Sequence, residues 1–413
     1  MQTGSSRPEL LAPAGDMERL RAALRFGADA VYAGGPMLQL RAGSAGFTMA
    51  SLAEAAGAAH ALGRKLYVAV NAFPTNDELD RLPDYALALE ALGADGVIVA
   101  DLGAIATIRR AAPRLPVHVS TQANCLNYGA AMAYYDMGCR RVVLAREMSL
   151  TDIRRLRDRV PDDLELEAFV HGAMCMAYSG RCMLSAYLTG RSANRGGCAQ
   201  SCRWSFHLME EKRPGEFFPV EEDAAGTTIL SSFDLNCLDF VDQILDAGVT
   251  SLKLEGRMKS PYYVATVTNA YRRRIDGILD GTTTPALLDV LRSELDAASH
   301  RAYASGFYFG AMKQHAPDDG TYRQDCVFVG TVVDRLPEGR ARVEARNRIR
   351  EGDALEVLSP NALGLRFVAR NLTDGAGNPI EAANVPMMRF DLDAPPEVQP
   401  GDLLRIRLPQ PFT

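Results

Sequence analysis

Apolar and polar positions along the first two-thirds of the chain repeat one pattern. A helix-length amphipathic stretch ends at a glycine, and a short β-branched run follows. The unit recurs at Gly27-Ala28-Asp29-Ala30-Val31-Tyr32, Gly93-Ala94-Asp95-Gly96-Val97-Ile98-Val99, Gly138-Cys139-Arg140-Arg141-Val142-Val143-Leu144 and Gly248-Val249-Thr250-Ser251-Leu252-Lys253-Leu254. Glycine suits the left-handed position just past a helix end. A short continuous apolar run reads as a parallel strand buried on both faces. Met17–Phe26, Ser51–Leu62 and Asp77–Leu92 predict helices, with Asp16, Ser51 and Ser149 as caps.

The predicted strands are Leu10–Ala12, Ala30–Ala33, Leu66–Val70, Gly96–Ala100, Val117–Thr121, Arg141–Ala145, Leu164–Val170 and Ser251–Glu255. Eight such strands alternating with helices predict an α/β protein of the (β/α)8, TIM-like barrel class. An open doubly wound sheet is the alternative. The barrel is expected over residues 1–280, with a long insertion, 172–235, after the seventh strand. Residues 281–320 read as a helical connector, Pro285–Ser299, and an aromatic loop with Tyr303, Phe307, Tyr308 and Phe309. From 321 to 413 the runs shorten to Cys326–Val333, Ala341–Ala345, Leu355–Leu358, Leu365–Arg370, Pro386–Leu392 and Leu403–Leu408. Turn residues punctuate them, which predicts a small all-β barrel domain.

Composition narrows the function. With 47% hydrophobic and 23% charged residues the chain has the balance of a globular protein. Forty-five basic against 51 acidic residues give a net charge of −6, which excludes a basic nucleic-acid coat over the whole molecule but not a local patch. Met1–Leu11 has no signal-peptide run, and no apolar stretch reaches the ~18 residues needed to span a bilayer. The expectation is a cytoplasmic protein with no membrane partner; nothing in the sequence sets its oligomeric state. Eight cysteines are too few for a disulfide scaffold of this length.

Five of those eight, Cys175, Cys182, Cys198, Cys202 and Cys237, fall together with the spacing C-x6-C-x15-C-x3-C-x34-C. Clustered thiols in a reducing compartment suit zinc or an iron–sulfur cluster, and equally suit small buried core residues. Cys125, Cys139 and Cys326 read as packing residues. Ala168–Met209, 42 residues long, contains no Asp or Glu, where the chain average would place about five. It carries Arg181, Arg191, Arg195 and Arg203 among Tyr178, Tyr187, Trp204, His171 and His207. Arginine interleaved with aromatics suits single-stranded RNA or a phosphate-bearing ligand; it also suits a loop shielding anionic thiolates. Arg272-Arg273-Arg274 adds a second basic group after the eighth strand.

Glu167-x-Phe169-x2-Gly172-Ala173-Met174-Cys175-x4-Gly180-x-Cys182-x-Leu184-Ser185 resembles the signature of peptidase family U32, the collagenase-like peptidases. Leu10-Leu11-Ala12-Pro13-Ala14-Gly15-Asp16, Asn194-Arg195-Gly196-Gly197-Cys198-Ala199-Gln200 and Leu254-Glu255-Gly256-Arg257-Met258-Lys259 resemble it too, so the likeness covers residues 8 to 310. Several members are oxygen-independent hydroxylases, and the layout here resembles the branch that hydroxylates tRNA uridine at C5. The resemblance implies a 4Fe–4S cluster on Cys175, Cys182, Cys198 and Cys237, with Cys202 as a substitute ligand. It implies prephenate as co-substrate and tRNA, or rRNA, as partner.

The peptidase name finds little chemistry of its own. Among six histidines, His60, His118, His171, His207, His300 and His315, there is no H-E-x-x-H pair, and there is no G-x-S-x-G elbow. The expected strand ends instead offer Asp16, Asn71, Asp101, Thr121, Gln122, Arg146, Glu147, Glu167, His171, Glu255 and Arg257. Arg146 and Arg257 suit the bidentate binding of a small dicarboxylate such as prephenate. Glu167, Glu255 and His171 suit orientation or proton transfer; a barrel-rim ion pair accounts for each equally well. Lys253 and Lys259 flank the same strand end and are expected to face solvent. Two other classes compete with the RNA hydroxylase: a peptidase, and a non-catalytic RNA-binding factor stabilised by metal, zinc included.

Overall fold

The computed structural model describes residues 7–40, 46–175, 179, 182, 184–201, 221–223, 226–228, 233–310 and 322–409. It divides into two compact units. The first comprises Met1–Leu24, Ala28–Lys259 and Arg301–Tyr322; the second comprises Arg25–Gly27, Ser260–His300 and Arg323–Thr413.

The first unit is built on β1 (Glu9–Ala14), β2 (Ala30–Gly34), β3 (Lys65–Val70), β4 (Gly96–Val99), β5 (Val117–Val119), β6 (Arg141–Val143) and β7 (Glu165–Ala173). After these come the antiparallel pair β8 (Glu221–Asp223) and β9 (Gly226–Thr228), then β10 (Asp234–Asn236) and β11 (Ser251–Leu254). Strands β1 to β7 pair in order and in parallel. Strand β11 closes the ring, setting Leu252 beside Leu10 of β1 and Lys253 beside Phe169 of β7. That closure excludes the open doubly wound sheet. All eight strands expected from the apolar runs are present. Nearly every residue in them is buried, because one face fills the barrel and helices cover the other.

The punctuation between strands follows the sequence. Gly27, Gly93, Gly138 and Gly248 have φ of +100°, +87°, +87° and +94°, as helix ends require. Helix α1 (Met17–Arg25) receives its first-turn acceptor from Asp16, whose Oδ1 takes the Arg19 N–H at 2.9 Å. Helix α2 (Met49–His60) begins two residues before the expected cap, Ser51. Thr48 caps it, and Ser51 is the reciprocal N3 residue of a capping box. Helix α3 (Asn76–Ala91) starts with the same device, Thr75 with Glu78. Helices α4 (Leu102–Ala111), α5 (Tyr128–Asp136) and α6 (Leu150–Arg157) follow, capped by Asp101, Asn127 and Ser149.

The sheet extends past the barrel in a way the apolar runs do not predict. Strand β10 returns antiparallel along β7, Asn236 opposite His171, and β12 (Tyr303–Ala304) pairs with β10. Each contributes only two or three residues to the ladder, too few for a periodic signal.

The second unit holds helices Pro261–Leu279 and Pro285–Asp296 and a seven-stranded antiparallel half-barrel. Its strands include Cys326–Leu336, Arg340–Ala345, Ala354–Leu358, Arg366–Val368, Arg389–Asp393 and Leu403–Arg407, the six expected from the sequence. Val329, Val343, Leu355, Phe390 and Leu404 form its core. The basic run after the eighth strand is internal rather than a phosphate-facing patch. Arg272 and Arg274 are buried, Arg272 paired with Asp276 at 2.7 Å and Arg274 bonded to Thr283 at 3.0 Å. Arg273 donates to the Pro360 carbonyl at 2.9 Å.

Candidate functional site

A cavity opens at the C-terminal ends of the barrel strands, with about 550 Å³ of empty space, open solvent included. Tyr32, Leu40, Ala69, Asn71 and Ile98 line one side, and Ser120, Thr121, Gln122, Arg146 and Phe169 the other. Lys253, Glu255 and Arg257 complete it from β11 and the turn after it. Six of the eleven polar groups expected at the strand ends meet here: Asn71, Thr121, Gln122, Arg146, Glu255 and Arg257. The lining carries three cations against one carboxylate.

Arg146 is held on three sides. Its Nη1 donates to the Ala173 carbonyl at 2.9 Å, Nη2 lies 3.5 Å from Glu255, and the guanidinium stacks 4.0 Å over the Phe169 ring. Its Nε is buried without a hydrogen-bond partner. Such an orphan is a donor awaiting an acceptor, since a buried polar group without a partner is costly. Arg257 is 5% exposed. Its Nη1 lies only 2.5 Å from where a Cβ on Gly34 would project, so glycine at that strand end makes room for the guanidinium.

Other expected site residues lie elsewhere. Asp16 and Asp101 serve α1 and α4 as helix-start acceptors. Glu147 accepts the Ser179 N–H at 2.9 Å and its hydroxyl at 3.1 Å. His171 is buried in β7, its ring 5.4 Å from that of Tyr303, and does not line the cavity. Glu167 is fully buried beneath the cavity floor, between Lys253 at 2.6 Å and Arg141 at 3.1 Å.

Lys253 is the residue that sequence reasoning misplaced. It faces inward, 4% exposed, with Nζ 4.7 Å from the Tyr32 ring and 5.4 Å from that of Phe169. Beneath it the ions continue across the barrel. Arg141 reaches Glu9 at 2.6 Å and Glu165 at 2.6 Å, and Glu9 accepts from Tyr67 at 2.7 Å and Ser251 at 2.9 Å. Burial alone would raise the Glu9 carboxyl, but the Arg141 guanidinium and these donors hold it below its ordinary value. Burial pushes the nearby His118 well below its ordinary value, with Arg141 and Lys253 adding to the effect, so it sits neutral in this layer.

The cysteines differ in exposure. Cys175 is exposed, two residues past β7, and Cys182 and Cys198 are partly exposed. Cys237 is fully buried, and its N–H donates to the Val170 carbonyl at 3.0 Å. That bond continues the antiparallel register, in which Asn236 lies opposite His171. Among the described residues no three His, Cys, Asp or Glu side chains form a metal-holding group. The cluster on Cys175, Cys182, Cys198 and Cys237 therefore stays what the resemblance implies. Cys202 lies outside the described residues, as do Arg181 and Arg203. Cys125, Cys139 and Cys326 are buried, as packing residues should be.

Of the arginines in the acid-free segment, Arg191 is exposed. Arg195 instead clamps the insertion to the start of α3, donating to the Phe73 carbonyl at 2.6 Å and to Glu78 at 3.0 Å. Sequence spacing offered no sign of that contact, which spans 117 residues.

Residues 15–317 match Peptidase family U32, and residues 324–405 match the Peptidase family U32 C-terminal domain. The chain belongs to peptidase family U32. Among its U32 relatives is tRNA hydroxylation protein P1 of Bacillus subtilis, 37% identical over 406 residues, 97% of this chain and 95% of that protein. tRNA hydroxylation protein P of Escherichia coli is 35% identical over 425 residues, covering 91% of each. A protein of Porphyromonas gingivalis named collagenase is 31% identical over 368 residues, 85% of this chain and 86% of that protein. The family covers both units of this U32 chain, and the strand-end cavity lies within the first match.

Proposed function

We propose that this U32 protein is a cytoplasmic tRNA hydroxylase that acts on uridine C5 and takes prephenate as co-substrate. The cation-rich cavity at the barrel mouth carries the reading. Arg146, Arg257 and Lys253 against Glu255 form a lining suited to a small dianion, and the Tyr32 and Phe169 rings suit a cyclic body. Relatives named tRNA hydroxylation proteins support tRNA as the macromolecular substrate. In this reading Arg146 and Arg257 bind carboxylates, and Glu255 orients Arg146 across its 3.5 Å contact. The 4Fe–4S cluster that the resemblance implies on Cys175, Cys182, Cys198 and Cys237 belongs to this reading, and no step is assigned to it.

Hydrolysis is not favoured by the same cavity. Its described lining contains no histidine or cysteine, and the Oγ of its one serine, Ser120, accepts the Gln122 N–H. The described lining therefore offers no Ser–His or Cys–His pair of the kind common peptidases use. The test is nucleoside mass spectrometry of tRNA from a deletion strain. 5-Hydroxyuridine-derived nucleosides should vanish, return with the intact gene, and stay absent with Arg257→Ala. Their persistence in the deletion strain would refute the proposal.

RNA attraction by a net-acidic protein must come from a patch, and the two described insertion arginines should behave differently. Arg191→Ala should lower the slope of log affinity against log salt by about 0.7–0.9, the loss of one phosphate contact. Arg195→Ala should leave that slope within error, since its guanidinium is committed to Glu78 and Phe73. Affinity for tRNA across a salt series distinguishes the two; equal slope losses would place both on phosphate.

A further inference from the structure

We infer that Lys253 is a ligand-contacting residue of the cavity, and that the buried ion chain beneath it exists to hold its ammonium there. The inference rests on the reading of the cavity as a site for a small dianion.

The geometry separates Lys253 from an ordinary buried ion pair. An ammonium has three donors. One is taken by Glu167 Oε1 at 2.6 Å, and the Tyr32 and Phe169 rings flank the nitrogen without accepting a full hydrogen bond. The residue also forms part of the cavity wall. Donors thus remain on a cation that is 4% exposed and lines the cavity. The aromatic faces favour the charge while shielding it from solvent.

The chain of ions below gives the arrangement its stiffness. Glu167 of β7 is bonded on its other oxygen to Arg141 of β6 at 3.1 Å. Arg141 is pinned in turn by Glu9 of β1 and Glu165 of β7. Tyr67 of β3 and Ser251 of β11 close on Glu9. Five strands thus fix one carboxylate, and that carboxylate fixes Lys253. Buried ion pairs seldom repay their desolvation in stability, so a chain of them under a cavity calls for another role. Holding a charge at a set height in the floor, with no reorganisation when the ligand arrives, is such a role.

Calorimetric titration of the full chain with prephenate and with phenylpyruvate, which has one carboxylate fewer, tests the assignment. Wild type should prefer the dianion. Lys253→Met should lose roughly tenfold to a hundredfold in prephenate affinity and much less for phenylpyruvate, so that the preference collapses. Lys253→Arg should restore part of it. The variant K253M/E167Q removes both charges and guards against misfolding from an unpaired Glu167; it should show the same collapse with wild-type circular dichroism. Affinity for tRNA should not change in any of these variants. Equal losses for both ligands, or an unchanged preference, would make Lys253 purely structural and overturn the inference. A wild-type protein that binds no prephenate would overturn the inference together with the co-substrate reading.

Discussion

Arg141→Met is expected to cost the barrel about 3–5 kcal/mol, the penalty for removing one partner of a buried ion pair. Arg141 is 3% exposed, and its loss strands Glu167, 0% exposed, and Glu9, 13% exposed, with fewer donors. Urea denaturation should show a lower midpoint with an unchanged slope. The pH dependence follows from Glu9, whose folded-state carboxyl is held below its ordinary value of 4.5. A depressed carboxyl contributes stability that is present above pH 4.5 and is lost as the pH falls through the lower, folded value. Arg141 is the charge responsible, so the wild type should lose stability on acidification below pH 4.5 more steeply than the variant. Parallel acid limbs for the two proteins would mean that Glu9 does not depend on Arg141.

Gly172→Ala should be the most damaging single-atom change at the cavity. Gly172 has φ of +110°, and an added Cβ would lie 2.4 Å from the Glu255 carbonyl oxygen and 2.9 Å from the Glu255 Cβ. Backbone strain alone accounts for about 1–3 kcal/mol. The clash must also push Glu255 away from Arg146. Gly190→Ala is the matched control: its φ is +69°, and nothing lies within 4 Å of the added atom. Both variants should lose stability in urea, but only Gly172→Ala should also lose prephenate affinity. Matching effects in the two would reduce Gly172 to a backbone role. This contact explains a glycine that the sequence motif contains but cannot account for, because its neighbour is 83 residues away.

The barrel, its strand order and the terminal β domain were legible in the chain itself. Helix-ending glycines, apolar runs and caps are local signals, and each strand buried on both faces leaves a continuous apolar imprint. Arg146, Glu255 and Arg257 could be placed at the cavity for a related reason: in a parallel barrel all strand ends share one face. What lay beyond local signal was decided by pairing between distant segments. Lys253 reads as a surface cation, yet strand parity and the β7 register turn it inward onto Glu167. Arg273 and Arg195 read as phosphate ligands, yet carbonyls and a carboxylate far away in the chain claim them. Cys237 belongs to a spaced set of thiols, and the antiparallel return of β10 sets its N–H on the Val170 carbonyl of β7. The sequence by itself determined which segments become strands and helices, since backbone preference and apolar period act over a few residues. Only the tertiary structure decided which charges meet, because an ion pair depends on register and closure, and neither is written within a single element.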